Sequence, residues 1–538
     1  MAARSLLLLV LICLQSEGCV AYSGVRLLMR PVHARAVAQP QLCVPTPPPA
    51  EGSQKIKDID RQFLFIAAPA FLQFSAEPLA RLVDTTYLGR LGKDALGGAG
   101  VAIAAQYSVS KLYNDPLLRT TISLVAAKDG EGPTVRANAV STALLLALVV
   151  GVVQGAFFFV FARGVLRLSL VTPASAMYPS ALAYLRICSL GAPAATLWLA
   201  TNGIFRGLGD TTTPLACALA FTGLNAIFDP LLIFNCGMGA AGAAAGTAMA
   251  QTIALVPLLL ALQRKLRVGY SGAERPAERV GVSGWPIVGL FVPPGGLPAL
   301  LAGLRMYLSA GSLVFLRSIG KISAYSVCAR EAARLGAVAS GAHNLCFQLG
   351  VATTQIAESV AIATQTLLAR ELGRTDVTAP ARTAVARQIV SRGLLVGGAV
   401  AGTLSLLTFR YSREVVNGLT TIPEVRAAAY GVMPLVLACQ ALKGLAYPVS
   451  GALMGALDWR ASAAAMWAAQ LSAVSLVAIW SQRGARSLSL NQLWSALAVL
   501  FVVQILAGLG RIASGTGPWV VLRRPRLVTT VVPDAKSE

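Results

Sequence analysis

The chain has 538 residues, 55% of them hydrophobic and 13% charged, with a mean hydropathy of +0.66. Soluble domains carry about 25% charged residues, so an ordinary soluble globular protein is excluded. The net charge of +22 comes from basic residues spread through short loops rather than gathered on one patch, which excludes a nucleic-acid surface.

From the N-terminus, Arg4 precedes an apolar core, Leu6 to Leu14, of signal-peptide length and too short to span a bilayer. Cys19-Val20-Ala21 supplies small residues for cleavage, so residues 1–21 read as a signal peptide. Residues 22–60 then read as a transit peptide or unfolded leader. They hold Arg26, Arg30 and Arg35, a Pro-rich stretch from Pro45 to Pro49, and no acidic residue before Glu51. This two-part leader resembles that of algae whose plastid lies inside the endomembrane system. A plastid membrane is the expected location, with another endomembrane as the alternative.

Apolar runs between charged breaks place spans near residues 63–88, 96–125, 136–162, 178–204, 213–235, 239–262, 289–317, 338–369, 389–409, 428–454, 461–482 and 490–511. In hydrocarbon every backbone N–H and C=O must be bonded within the protein, so such runs are helices. The expected fold is an all-α membrane protein with twelve transmembrane helices in two pseudo-symmetric lobes. An N-terminal lobe covers 61–265, an inter-lobe loop 266–288, a C-terminal lobe 289–515 and a basic tail 516–538. Loops on the side of the termini carry nearly twice the Lys and Arg of the opposite loops, so both termini should face the cytoplasm or stroma.

The halves match. Gly203-Ile-Phe-Arg-Gly-Leu-Gly-Asp210 aligns with Gly451-Ala-Leu-Met-Gly-Ala-Leu-Asp458 without a gap. Ala126-Ala-Lys-Asp-Gly130 resembles Ala369-Arg-Glu-Leu-Gly373, and Leu88–Lys93 pairs more loosely with Leu316–Lys321. Six spans per half give a pseudo-two-fold axis along the membrane normal, the plan of transporters that carry substrate between their halves.

Several motifs resemble the multidrug-and-toxic-compound-extrusion (MATE) family, especially its branch named for the DNA-damage-inducible protein F. They are Leu82-Val-Asp-Thr-Thr-Tyr-Leu-Gly-Arg-Leu-Gly92, Arg206-Gly-Leu-Gly-Asp-Thr-Thr-Thr-Pro214, Asn225-Ala-Ile-Phe-Asp-Pro230 and Gly239-Ala-Ala-Gly-Ala-Ala-Ala-Gly-Thr247. The resemblance spans about residues 60–515. It implies a V-shaped pair of lobes and export coupled to H⁺ or Na⁺. It also implies a cation site in the first lobe at Asp84, Asn225, Asp229 and Thr247.

The residues themselves support such a site. A carboxylate near mid-membrane is costly unless paired, protonated or bound to a cation. Asn225 and Asp229 are four apart and share a helix face; with Asp84 and Thr247 they offer oxygen ligands suited to a hard cation. The bland alternative has Asp229 bracing a helix before Pro230. In the second half, Ser312 is expected opposite Asp84, and Ala473 and Val477 opposite Asn225 and Asp229, so the acidic set is confined to the first.

Other polar residues are candidates for substrate contact or gating. Glu77 and Arg81 form an internal pair, or Arg81 tunes Asp84. Lys111 and Asp115 share that spacing. Lys443 snorkels, pairs with Glu358 or meets an anionic substrate. Arg206 and Asp210 hold the inward gate or helix ends, and His343 reads as an interfacial residue. No cofactor is expected beyond the coupling ion. Nine Cys without a CxxC pair, and only two His, exclude a metal centre other than Na⁺ at the coupling site. The expected activity is cation-coupled antiport of a small organic solute by a monomer in a lipid bilayer. The alternatives are a lipid-linked precursor flippase, hinted at by Lys443 and Arg305, and a membrane-embedded enzyme, which lacks a nucleophile–base pair.

Overall fold

The structure, a computed structural model, describes residues 51–129, 131–169, 171–268, 287–374, 379–420, 422–482 and 488–522. The signal peptide, the transit segment to residue 50, most of the inter-lobe loop and residues 523–538 lie outside the described residues. So do the side chains of Glu77, Arg81 and Lys111.

Twelve long helices are present among the described residues. In the first lobe they are α1 (Glu51–Arg90), α2 (Lys93–Asp129), α3 (Pro133–Leu168), α4 (Tyr178–Gly207), α5 (Thr212–Pro230) and α6 (Ala240–Val268). In the second they are α7 (Gly296–Arg334), α8 (Ala337–Gly373), α9 (Ala379–Arg410), α10 (Pro423–Gly455), α11 (Trp459–Gln482) and α12 (Leu490–Ala513). A short surface helix, Ser412–Leu419, separates α9 from α10. Helices α3 to α12 are long and apolar enough to cross a membrane. Helices α1 and α2 are as long, but Asp84, Lys111, Asp115 and Arg119 interrupt their apolar runs.

Packing repeats from lobe to lobe. In the first, α4 lies against α2, α3 and α6, while α5 packs on α1 and α6. In the second, α10 lies against α8, α9 and α12, while α11 packs on α7 and α12. The same turn closes α4 and α10. The amide of Gly209 donates to Arg206 O and that of Asp210 to Phe205 O; Leu457 and Asp458 repeat both bonds onto Met454 and Leu453. Gly209 has φ +69°, and Leu457 adopts the same left-handed region at φ 56°, which costs a residue with a Cβ about 1–2 kcal/mol.

Several boundaries differ from expectation: α7 runs on to Arg334, past the expected end at 317, and α9 starts at Ala379 rather than 389. Helix α1 reaches back to Glu51, into the stretch read as leader, and there Ile59 is buried and Asp60 pairs with Arg392 of α9 at 3.0 Å. The seventh span begins at Gly296 rather than near 289, because Pro293 and Pro294 cannot donate to a helix ladder and leave only a short 3₁₀ turn, Val288–Phe291, before it. The start of the basic tail is folded: Trp519 is fully buried and its Nε1 donates to Asp458 Oδ2 at 3.1 Å.

The loose match of Leu88–Lys93 with Leu316–Lys321 is also corrected. Residues 316–321 lie inside α7, whereas Arg90-Leu91-Gly92 recurs as Arg334-Leu335-Gly336, with Gly92 at φ 107° and Gly336 at φ 103°. Asp84 stands eight residues before Gly92, and Cys328 stands eight before Gly336. The counterpart of Asp84 is therefore Cys328, not Ser312.

Bonds between the lobes gather toward the side where α1 begins. Asp129 of α2 pairs with Arg370 of α8 at 3.3 Å, Gln365 Nε2 donates to Ser123 Oγ at 2.7 Å, and Thr366 Oγ1 donates to Arg206 O at 3.1 Å. The loop segments matched by the repeat thus touch each other, as segments beside a two-fold axis must. A Cβ on Gly373 would lie 2.1 Å from Ala127 O. Gly373→Ala should therefore wedge the lobes apart on this side. The check is an increase in spin-label distance between α2 and α8, with little change between labels within one lobe.

Candidate functional site

Asp84, Asn225 and Asp229 come together in the first lobe. Asn225 is 1% exposed and Asp229 0%, while Asp84 is half-buried. The Asn225 Nδ2 group donates to Asp84 Oδ1 at 2.6 Å and to Asp229 Oδ2 at 3.1 Å, so one neutral amide bridges two carboxyl groups from different helices. The spacing of four on α5 turns Asn225 and Asp229 to the same face.

The helix around them is shaped for this approach. Pro230 has no N–H to give the ladder, and the chain continues through a π turn, Leu231–Asn235, in which Cys236 N bonds to Leu231 O at 2.9 Å. Widened turns of this kind recur at functional sites. Across from them α6 presents glycine: a Cβ on Gly246 would lie 2.3 Å from Asp229 Oδ1, and one on Gly242 2.7 Å from the Leu232 carbonyl. The small-residue run Gly239–Gly246 thereby lets α6 close on the Asp229 carboxyl.

Three buried oxygens here have no hydrogen-bond partner: Asn225 Oδ1, Asp229 Oδ1 and Thr247 Oγ1. Thr247 follows the glycine that touches Asp229. Orphaned acceptors deep in a protein are costly, about 1–3 kcal/mol each, and a hard cation or a proton would satisfy such a set. Tyr184 of α4, which sequence reasoning passed over, lies buried within electrostatic reach of both Asp84 and Asp229 and bonds with Cys188. Its place in an aromatic–apolar span gave no signal.

Among the described residues, the matching positions of the second lobe hold nothing comparable. Besides Cys328 opposite Asp84, the shared turns put Ala473 and Val477 opposite Asn225 and Asp229, and the helix starts put Leu497 opposite Thr247. All four are buried in one apolar cluster.

Residues 69–231 and 315–479 each match the MatE family model, one match per half. This chain belongs to the MATE family. Among relatives, it is 29% identical over 477 residues to Protein DETOXIFICATION 44, chloroplastic, of Arabidopsis thaliana, covering 87% of this chain and 85% of that one. Protein DETOXIFICATION 45, chloroplastic, of the same plant is 29% identical over 486 residues, covering 86% and 80%. In fold, it is similar to the Vibrio cholerae MATE transporter VcmN in its bent form, with a TM-score of 0.71 at 14% identity over 87% of this chain and 97% of that one. MATE proteins are transporters, so the chain is a multi-pass secondary transporter and the membrane-enzyme alternative falls.

The remaining candidates of this MATE chain take distinct places. Arg206, 3% exposed, donates from Nη2 to Gln73 Oε1 at 2.9 Å and lies 4.5 Å from the Phe74 ring centroid. Gln73 in turn donates to Asn202 Oδ1 at 2.5 Å, so Arg206 ties α4 to α1 within the first lobe. Asp210 anchors the start of α5. It accepts from the amides of Thr212 and Thr213 at 3.2 and 3.0 Å and from Lys265 Nζ at 2.7 Å. Lys443 is 6% exposed and donates to Thr354 Oγ1 at 3.1 Å. It does not pair with Glu358, which instead receives two bonds from Arg119 Nη2 at 2.7 and 2.9 Å. Arg305, the second hint of a flippase cavity, is exposed on α7.

Gly246→Ala should disturb the Asp229 carboxyl without altering any ligand. Overpacking of this kind costs about 1–3 kcal/mol, and ion-dependent thermal stabilisation of the purified protein should fall, while Gly223→Ala, with open space around it, leaves that stabilisation intact. Asp210 makes a second test. Burial opposes its ionisation, but Lys265 and the Thr213 amide outweigh it and hold the carboxyl below its usual range. A carboxyl lowered in the folded state contributes stability above its unfolded pKa and loses it as pH falls through the folded value. The melting difference between wild type and Asp210→Asn should be full above about pH 4 and fade as pH falls from there through the lowered folded value. Melts in detergent across that range would read it.

Proposed function

We propose that this MATE protein is a cation-coupled antiporter that exports a small organic solute across a plastid membrane by rocking of its two lobes. The observation that carries the reading is the Asn225 amide spanning Asp84 and Asp229 beside three unpartnered buried oxygens. Such a set answers to a positive charge, because two carboxyl groups held close in low dielectric are stable only when a proton or a cation offsets them. Loading with H⁺ or Na⁺ favours one packing of α1 against α5 and α6. Losing the ion favours another, and the difference in ion affinity between the two states supplies the bias. The inter-lobe bonds on the side where α1 begins support a closed gate there. Two relatives named chloroplastic and the two-part leader support the plastid location. With no observation favouring a lipid-linked substrate, a small solute is the better reading.

Proteoliposomes with imposed H⁺ or Na⁺ gradients test it. Solute export should follow one gradient and fall at least tenfold in Asp84→Asn and Asp229→Asn, the order expected when one charge-assisted contact of about 1.4 kcal/mol or more is lost. Unchanged gradient-driven export in both variants would remove these carboxyl groups from coupling.

A further inference from the structure

The lobes leave a cavity between them at the opposite end of α1 from Asp84. Helices α1 and α9 both lie along α8 but barely touch each other. The space they leave is about 390 Å³, within the range of about 300–1,000 Å³ common for ligand sites. Phe65 and Ile66 of α1 line one wall and Val385 and Ile389 of α9 the other, with Arg370, Glu371 and Arg374 of α8 between them. Gly209, in the turn after α4, borders it too: a Cβ there would lie 2.9 Å from Arg370 Nη2, so the glycine leaves room for that guanidinium.

Polarity is graded here as it is along a lipid. On α1 and α9 the apolar runs begin at this level, near residues 63 and 389, so the cavity sits where headgroups meet hydrocarbon. Phe65 is 59% exposed, which opens the cavity sideways to the bilayer. The charge is basic. From residue 370 to 392 the sequence holds Arg370, Arg374, Arg382, Arg387 and Arg392 against Glu371 and Asp376. Asp129 meets Arg370 at 3.3 Å and Asp60 meets Arg392 at 3.0 Å, and arginine remains in excess. Arg374 approaches Glu371 only to 3.7 Å with its side chain 42% exposed, so its guanidinium can turn to a phosphate.

We propose that this cavity binds an anionic membrane lipid, its phosphate at Arg370 and Arg374 and one acyl chain between α1 and α9, and that the lipid holds this side of the transporter shut. The walls come from both lobes, so the site is whole only while the lobes are together here. A ligand that binds one state favours that state. The cavity lies at helix ends rather than at mid-membrane, which makes the lipid a regulator and not cargo. The inference goes beyond the antiport reading and takes from it only the rocking of the lobes.

The purified full chain in phosphatidylcholine nanodiscs, with and without phosphatidylglycerol and with no ion gradient, tests it. Spin labels on α2 and α8 read the closed side, and native mass spectrometry reads retained lipid. Phosphatidylglycerol should be retained saturably and shorten the α2–α8 distance. Arg374→Gln should weaken retention about tenfold, and Val385→Trp, which fills the cavity, should abolish both effects. Arg413→Gln, exposed beyond the far end of α9, should change neither. An unchanged α2–α8 distance overturns the proposal. So does the same shortening by glycerol 3-phosphate, which has the phosphate but no chain, or equal weakening by Arg413→Gln, the mark of general surface attraction. Should Val385→Trp fail to purify as a monodisperse protein, Arg374→Gln set against Arg413→Gln decides. Ion-driven export that persists while phosphatidylglycerol changes nothing would sink this inference alone. A lipid-dependent distance in a protein that no H⁺ or Na⁺ gradient drives would sink only the antiport reading.

Discussion

Arg119 sits where the two halves of the chain meet, and much of the remaining arrangement follows from its charge. Counted back from the matched loops that end at Gly130 and Gly373, Asp115 and Glu358 are equivalent positions of the repeat. The position equivalent to Arg119 is Ile362, an apolar residue. One guanidinium therefore serves two symmetry-related acids, one from each lobe. Breaking a buried pair leaves an uncompensated charge in low dielectric, at about 3–5 kcal/mol, so the bond to Glu358 is a strong clasp across the interface. Gln365 adds to it by donating from α8 to the Arg119 carbonyl at 2.9 Å.

Around that clasp the lobes keep one backbone plan and differ in what they bury. The first encloses two carboxyl groups with an amide between them. The matching ground in the second is Cys328, Ala473, Val477 and Leu497, packed as ordinary apolar core. The second lobe instead buries Arg317 and Lys443 around hydroxyls. Duplication supplied the scaffold, and substitution at a handful of inward positions gave each copy its own electrostatic character. The closing turns show how far the scaffold tolerates such change: Gly209 became Leu457 at the same strained φ. There Asp458 is held by Arg511 at 2.7 Å and by Trp519, as Lys265 holds Asp210 in the first lobe.

The helices were legible because hydrocarbon leaves the backbone no other option. Most expected spans fall on the observed helices, but charge is a poor marker of where several of them end: α7 runs through Arg317 and Lys321 to Arg334, α1 starts at Glu51 and α9 at Ala379, each well beyond the apolar run. Proline sets a further boundary, at Gly296. Asp84, Asn225 and Asp229 could be singled out because their motifs resemble those of the MATE family, and a costly acid in an apolar run with a partner four residues away agreed with what that resemblance implies. What could not be read was pairing between distant helices. Glu358 is a sequence candidate to pair with Lys443 on α10, yet Arg119 of α2 in the other lobe reaches it. Lys443 is expected to snorkel, pair with Glu358 or meet an anionic substrate, and its contact with Thr354 is not foreseen, because a hydroxyl carries no charge signal in a sequence. The loose alignment around Gly92 misled for a related reason: glycine and leucine are so common in apolar helices that a match without φ angles is weak.

Helix length adds a final consequence. At about 1.5 Å per residue, the helices that form the inter-lobe seam, α1, α2, α7 and α8, are roughly 55–60 Å long, against a hydrocarbon layer of about 30 Å. The outer helices α11 and α12, with 24 residues each, match the layer more closely. The seam therefore protrudes into the aqueous phase where α2 ends and α8 ends, carrying the Asp129–Arg370 contact with it, its two side chains 20% and 30% exposed. Wet ion pairs are worth only about 0–1 kcal/mol and exchange partners freely. The contact at this end can thus loosen in water, while the Arg119–Glu358 pair stays largely buried.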